Sequence, residues 1–320
     1  YPEDSAGRIM SRDFVSIPDN WTVREARQYL LNNEELPDDF YTIFLVDEKT
    51  LKPTGEIALD KLLRAKGDEK LNSIMDGEIV PVDVYTDQEE VAHMFREYGW
   101  MSAMVVDNKG RLIGVINIDD VVEIVHEETN EDMMLLTGAE SNDVYRSVFS
   151  IFKSRSIWLV TNLFATIVAA SVVGEFQDII AQLSILAVLM PIVASMGGTT
   201  GQQTLAVVVR SLATKELNSR NALRMIGKEF MVGLCNGLLF AVMIGIAVRI
   251  WFPGQEMISY IIALAMLCNL TVASLAGILI PLTINRLKID PAIASGVFLI
   301  ACTDSGGYFI FLGLAKLLLF

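Results

Sequence analysis

Histidine and cysteine are scarce in this sequence, with two of the first and three of the second among 320 residues. His93 and His126 stand far apart, so nothing resembles the ligand spacing of a zinc site. Cys235, Cys268 and Cys302 fall in apolar runs without paired spacing and read as core thiols rather than a disulfide framework or redox pair. No nucleophile, base and orienting group cluster anywhere, which argues against an enzyme. Acidic residues are scarce too, but only in the second half. Residues 1–143 hold 13 Lys+Arg against 32 Asp+Glu, a net of −19, whereas residues 144–320 hold 12 against 7, a net of +5. That excess of carboxylate excludes binding of nucleic acid or an anionic membrane surface through the first half, and it favours cations or basic partners. No signal peptide precedes the chain's polar opening, YPEDSAG, which reads as though the chain were cut from a longer one or started at a domain boundary. An acidic soluble module followed by a membrane domain accounts for the asymmetry.

The soluble half repeats itself. Ile9-Met10 followed by Val15-Ser16-Ile17 recurs as Ile74-Met75 followed by Val80-Pro81-Val82. Each copy continues into a polar helical stretch (residues 22–30 and 87–95) and closes with a β-rich run that ends in a short helix. The apolar alternation in Val105-Val106 and Leu112–Ile116, broken by the turn Asn108-Lys109-Gly110, predicts strand-turn-strand. The unit is β-α-β-β-α, and its duplication resembles a tandem pair of CBS domains, a module that usually senses nucleotides or ions. In such domains a Gly, then a Ser or Thr, then an Asp three residues on commonly hold the ribose of an adenosine ligand. The second repeat has Gly114, Asn117 and Asp120, keeping the acid and replacing the hydroxyl, and the first has Ala58 and Lys61, departing at both. Asp120 also suits a simpler role, a carboxylate at a helix start.

Acids crowd the next stretch at helical spacing: Asp119, Asp120, Glu123, Glu127, Glu128, Glu131 and Asp132. Glu127 with Glu131 and Glu128 with Asp132 are four apart, so like charges share a helix face and repel by roughly a few tenths of a kcal/mol per pair. A bound divalent cation turns that repulsion into coordination; a solvated acidic helix is the plainer reading.

After a basic approach over residues 146–155, five apolar spans follow: 157–173, 183–212, 227–251, 257–282 and 293–319. Each has at least about the 17–25 residues a bilayer requires. Lys153, Arg155, Lys215, Arg220, Arg224, Arg286 and Lys288 mark one side, and Glu175, Asp178 and Glu256 the other, with Arg249 an exception. By the positive-inside rule the acidic module is cytoplasmic and the C-terminus outside.

Two features inside these spans carry chemistry. Asp304 lies near the middle of the fifth, with Thr303, Ser305, Gly306 and Gly307 beside it and no basic residue within ten positions. An ionised acid in hydrocarbon costs about 2.5–3.5 kcal/mol on insertion scales, so such a group normally meets water, an ion or a partner charge. A protonated Asp bonded to a neighbouring helix is the alternative. The second span contains Gly197-Gly198-Thr199-Thr200-Gly201-Gln202-Gln203-Thr204, too polar for a lipid-facing helix; it reads as close packing combined with a path lining, with packing through small residues alone as the alternative. Asn269 and Pro281 in the fourth span read as an interhelical hydrogen bond and a bend.

The run MPIVASMGGTTGQQTLAVVVRSLA, the connection RLKIDPAIASG and the final TDSGGYFIFLGLAKLLL, together with YPEDSAGRIM and the tandem CBS repeats, resemble the MgtE family of magnesium channels over essentially the whole chain. Thr199 and Gly296 stand where that family often has Asn, and its amino-terminal helical domain is not among these residues. The resemblance implies an α+β tandem CBS module joined to an all-α membrane domain of five transmembrane helices. The implied boundaries are residues 1–67, 68–130, 131–155 for a connecting, plug-type helix, and 156–320 for the pore domain. It implies a homodimer in a lipid bilayer, the inner or plasma membrane, that imports Mg2+ along its two-fold axis. The pore site would use Asp304, Thr303, Gly307, Thr199 and Thr200. Regulatory cytosolic Mg2+ would be held by Asp120, Glu123, Glu128, Glu131, Asp132 and Asp290, between the CBS pair, its connecting helix and the membrane domain. ATP is a further ligand the module leaves room for, at Gly114, Asn117 and Asp120. A carrier coupled to Na+ or H+, and a membrane-anchored nucleotide sensor without a pore, are the rival readings.

Overall fold

The computed structural model describes residues 1–320 apart from 38, 39, 77, 78, 140–145, 218–220 and 320, and apart from the side chains of 132, 293 and 294. Arg220 and the side chain of Asp132 therefore lie outside the described residues, as does the middle of the 131–155 segment. The chain forms two compact units, Tyr1–Thr129 and Asn130–Phe320.

The first unit runs α1 (Ala6–Ile9), β1 (Ser16–Pro18), α2 (Val23–Asn32), β2 (Thr42–Val46), β3 (Pro53–Ala58) and α3 (Leu59–Arg64). It then repeats as α4 (Leu71–Ile74), β4 (Val82–Asp83), α5 (Gln88–Tyr98), β5 (Ser102–Val106), β6 (Leu112–Asn117) and α6 (Ile118–Leu135), the last running past the unit boundary. Each repeat holds one three-stranded sheet in which the first strand pairs parallel and the last antiparallel with the middle one. Local signals set the ends of these elements. Thr22 and Glu25 form a reciprocal capping box at the start of α2. Asp47 and Asp107 occupy matching hairpin turns, where each carboxylate accepts backbone N–H groups two to four residues on. The Arg111 backbone N–H and guanidinium hold the Asp107 carboxyl down to about 2.

The repeats exchange their leading segments. Ala6, Ile9 and Met10 pack in the core of the second repeat with Val82, Val91 and Ile116, whereas Leu71, Ile74 and Met75 pack in the first with Ile17, Ile43 and Ile57. The exchange needs glycine on the receiving strands. A methyl at Gly55 would sit 2.4 Å from the Met75 sulfur, and one at Gly114 2.5 Å from the Met10 sulfur.

The second unit consists of α7 (Val148–Gly174), the short α8 (Gln177–Gln182), α9 (Ile185–Ala213), α10 (Ala222–Trp251), α11 (Glu256–Arg286) and α12 (Pro291–Leu319). The five long helices are the apolar spans of the sequence, and each is long and apolar enough to cross a membrane. The first begins earlier than its apolar run: Ser147 caps it by accepting from the Ser150 N–H, so the basic approach is already helix. Central to the unit is α11, which packs on α9, α10 and α12, whereas α7 lies outermost against α12. Pro281 lies buried inside α11, which continues to Arg286. The helix α6 ends in a Schellman motif: Ala139 N–H donates to the Met134 carbonyl, Gly138 N–H to that of Leu135, and Gly138 has φ +71°. Leu135 and Leu136 then pack on Leu205 and Val209 of α9 and Leu299 of α12, and Trp158 of α7 covers Gly138.

Candidate ion pathway

Asp304 occupies the middle of α12 and is half-buried. Among the described residues it has no hydrogen-bond or ion-pair partner. The neighbouring Ser305 hydroxyl is buried and likewise without one. On the same helix Thr303 and Gly307 share a face that is packed rather than open. Thr303 is 1% exposed, and its hydroxyl donates to the Leu299 carbonyl at 2.9 Å. Gly307 is buried against the Asn269 side chain of α11. The acid therefore stands at the edge of a packed face, half a turn or less from residues that hold α12 against its neighbours.

The glycine- and threonine-rich segment of α9 divides in the same way. Thr200, Gly201 and Thr204 are buried; Thr199, Gln202 and Gln203 are exposed. A methyl at Gly277 of α11 would meet the Gly201 carbonyl oxygen at 2.7 Å, so the α9–α11 seam is backbone against backbone. Thr199 donates to the Ser195 carbonyl of its own helix at 2.9 Å, leaving its oxygen lone pairs facing outward. Thr204 donates at 2.9 Å to the carboxylate of Glu229 on α10. Glu229 is an acid within an apolar span, as Asp304 is, yet the sequence reading passed over it. The rule that singled out Asp304 would have found it, had the acid not stood close to the span's basic end beside Lys228.

The acids of the first unit are placed separately. Asp120 accepts the Asn117 N–H at 3.3 Å, the arrangement of a carboxylate at a helix start. Asn117 in turn accepts the Ser102 hydroxyl at 2.7 Å. Burial pushes the Asp120 carboxyl above its ordinary value of 3.8, the Asn117 N–H opposes that shift, and the charges of Asp119 and Glu123 add to it. Glu128 accepts a hydrogen bond from the Gln88 side chain of α5, and Glu123 is exposed. In the first repeat Lys61 pairs with Asp76 at 2.7 Å. In the second unit Glu131 is exposed, and Asp290 caps α12 by accepting the Ala292 N–H at 2.8 Å. Among the described residues, no three His, Cys, Asp or Glu side chains converge where a metal ion could be held.

Comparison with known proteins places this arrangement. Residues 190–314 match the MgtE family of divalent cation transporters, and residues 6–68 and 71–127 each match the CBS domain. The magnesium transporter MgtE of Enterococcus faecalis is 33% identical over 317 residues, 99% of this chain and 70% of that protein. The chain belongs to the MgtE family. Its counterpart in Bacillus subtilis, also a magnesium transporter MgtE, is 30% identical over 98% of this chain and 70% of its own. A solved cytosolic domain of the Mg2+ channel MgtE in complex with ATP is 35% identical, covers 39% of this chain and 50% of its own, and superposes with a TM-score of 0.37. MgtE proteins are transporters and not enzymes, in keeping with the lack of a catalytic grouping in the sequence. The tandem CBS module followed by five long apolar helices is the expected α+β module and helical membrane domain.

Proposed function

We propose that this chain conducts Mg2+ as a homodimer, with Asp304 of each protomer facing its mate across the ion. The observation that carries the reading is the carboxylate of Asp304, held in mid-helix within a membrane span with no partner among the described residues. Mg2+ dehydrates reluctantly and prefers an octahedral shell near 2.1 Å, roughly, so two carboxylates around a hydrated ion suit it better than a closed protein cage. Two such acids repel one another, and the cation removes that cost. Thr199 and Thr200 on α9 and Thr303 and Gly307 on α12 flank the path, the buried Thr200, Thr303 and Gly307 chiefly by holding the helices in place.

Gating follows from the acidic residues. Cytosolic Mg2+ bound by Asp120, Glu123, Glu128, Glu131, Asp132 and Asp290 neutralises like charges and favours the closed state; as Mg2+ falls, repulsion favours the open one. The soluble module is cytoplasmic and the C-terminus lies outside, as the loop charges indicate. ATP is a second ligand of the module, at Gly114, Asn117 and Asp120. The domain boundaries at 67, 130 and 155 belong to this reading.

The deciding experiment is Mg2+ uptake into proteoliposomes by the wild type and Asp304→Ala, with internal Mg2+ varied. Flux is expected to fall as internal Mg2+ rises and to vanish in a folded, dimeric Asp304→Ala protein. Undiminished flux in that variant would break the reading. Flux that stops when voltage is clamped and Na+ and proton gradients are removed would establish coupled transport instead.

A further inference from the structure

The central helix α11 carries one buried amide, Asn269, 1% exposed. Its Nδ2 donates to the Val193 carbonyl of α9 at 2.7 Å. Two glycines close around the same side chain. A methyl at Gly197 of α9 would lie 2.4 Å from Nδ2, and one at Gly307 of α12 would lie 3.2 Å from Oδ1. The amide thus touches, at a glycine on each, the two helices that carry every proposed pore residue. Gly307 is three residues from Asp304, and Gly197 is two from Thr199.

We infer that Asn269 is a positioning residue for the ion path, the side chain that fixes the spacing and rotation of α9 and α12 and so the place of the Asp304 carboxylate. The inference rests on the reading that the ion passes at Asp304. Its physical basis is direction. Helices in a membrane pack by dispersion between small and apolar side chains, contacts that can slide or rotate at little cost. A buried amide has no water to turn to, so its N–H must stay on the one carbonyl that accepts it. Val193 can accept it because a helical carbonyl already bonded within its helix keeps a second lone pair. The glycines at 197 and 307 let both backbones close on the amide, so a shift of either helix disturbs it. A path that admits Mg2+ with its water shell depends on width, and in the proposed dimer that width follows from where each protomer's α9 and α12 place their lining residues relative to the shared axis.

The test is proteoliposome flux of Mg2+ and Co2+, measured with the oligomeric state and thermal midpoint of each variant. Asn269→Leu keeps the branched shape and heavy-atom count, at a somewhat larger volume, and removes the amide. It is expected to remain folded, to lower Mg2+ flux by about three- to fifteenfold, the worth of one interhelical hydrogen bond in a membrane, and to move the Mg2+-to-Co2+ ratio. Gly307→Ala is expected to lower flux by pressing on Oδ1. Combining it with Asn269→Ala, which empties that space, should restore part of the loss, so the double variant exceeds the product of the single effects. An Asn269→Leu protein that folds with unchanged flux and ion ratio overturns the inference, as do purely multiplicative effects of Gly307→Ala and Asn269→Ala. If Asn269→Leu does not fold, the Gly307 pair decides. Full flux in Asp304→Ala defeats the underlying pore reading instead, whatever the Asn269 variants do.

Discussion

Gly277→Ala and Gly227→Ala are the same chemical change at two helix-interior glycines, and the structure expects different outcomes. At Gly277 in α11 the new methyl carbon would lie 2.7 Å from the Gly201 carbonyl oxygen, 2.8 Å from the Thr204 Cβ and 3.2 Å from its Cγ2. Ordinary contact begins near 3.4 Å, so α11 and α9 must separate by the difference, 0.7 Å, because a helical carbonyl cannot turn aside. At Gly227 in α10 nothing lies within 4 Å. Both changes gain about 0.5–1 kcal/mol from the lower backbone entropy cost of Ala, but only Gly277→Ala incurs overpacking, about 1–3 kcal/mol. For a unit of this size each kcal/mol moves the thermal midpoint by about 2–4 °C. Gly227→Ala should therefore unfold slightly above the wild type, with Gly277→Ala about 2–12 °C below Gly227→Ala. Thermal unfolding of the detergent-solubilised full chain, followed by tryptophan fluorescence, measures this. Mg2+ flux gives a second readout: Gly277→Ala displaces α9 where Gly201 and Thr204 lie and should slow transport, whereas Gly227→Ala should leave it unchanged. Equal midpoints for the two variants would refute the close α9–α11 seam.

Three further changes probe other parts of the chain. Burial, with the Asp76 charge adding to it, holds the Glu56 carboxyl above its ordinary value of 4.5, so the folded chain favours the protonated acid. That preference contributes stability below pH 4.5 which is lost as pH rises through the folded value; Glu56→Gln should therefore raise the thermal midpoint more at pH 7 than at pH 4, and equal gains at both would contradict it. Gly138→Ala forces a side chain into a left-handed turn, at about 1–2 kcal/mol, and onto the Trp158 ring; a lower thermal midpoint, only partly recovered by adding Trp158→Ala, is expected. Glu229→Gln retains an acceptor for the Thr204 hydroxyl, so its Mg2+ flux should stay close to wild type, whereas Glu229→Leu removes the acceptor and should lower it; equal flux in the two would show that the contact does not bear on transport.

Much of the fold was legible because it depends on short-range regularities. The 65-residue offset between Ile9-Met10 and Ile74-Met75 announces the duplication, and uninterrupted apolar length announces the five long helices. Asp304 was visible because a charge is conspicuous in hydrocarbon. The roles of its neighbours were not. Thr303 and Gly307 look like site residues in the sequence, yet their orientation on α12 turns them toward packing. Asp120 and Asp290 stood out as acids, and both act at helix starts, a role that a one-letter reading shares equally with metal or nucleotide binding.

The sequence alone determined the division into an acidic module and an apolar domain, the duplicated β-α-β-β-α unit, and a carboxylate in mid-membrane, since composition, periodicity and charge are properties of the chain itself. The tertiary structure decided which repeat's core receives Met10 and Met75, which hydroxyls are occupied, and that Glu229 reaches Thr204. It also decided that Asn269 lies between Gly197 and Gly307. Apart from the hydroxyls of Thr199 and Thr303, which bond to carbonyls four residues back, these are contacts between residues tens of positions apart, and they depend on how helices rotate and pack, which no local pattern encodes.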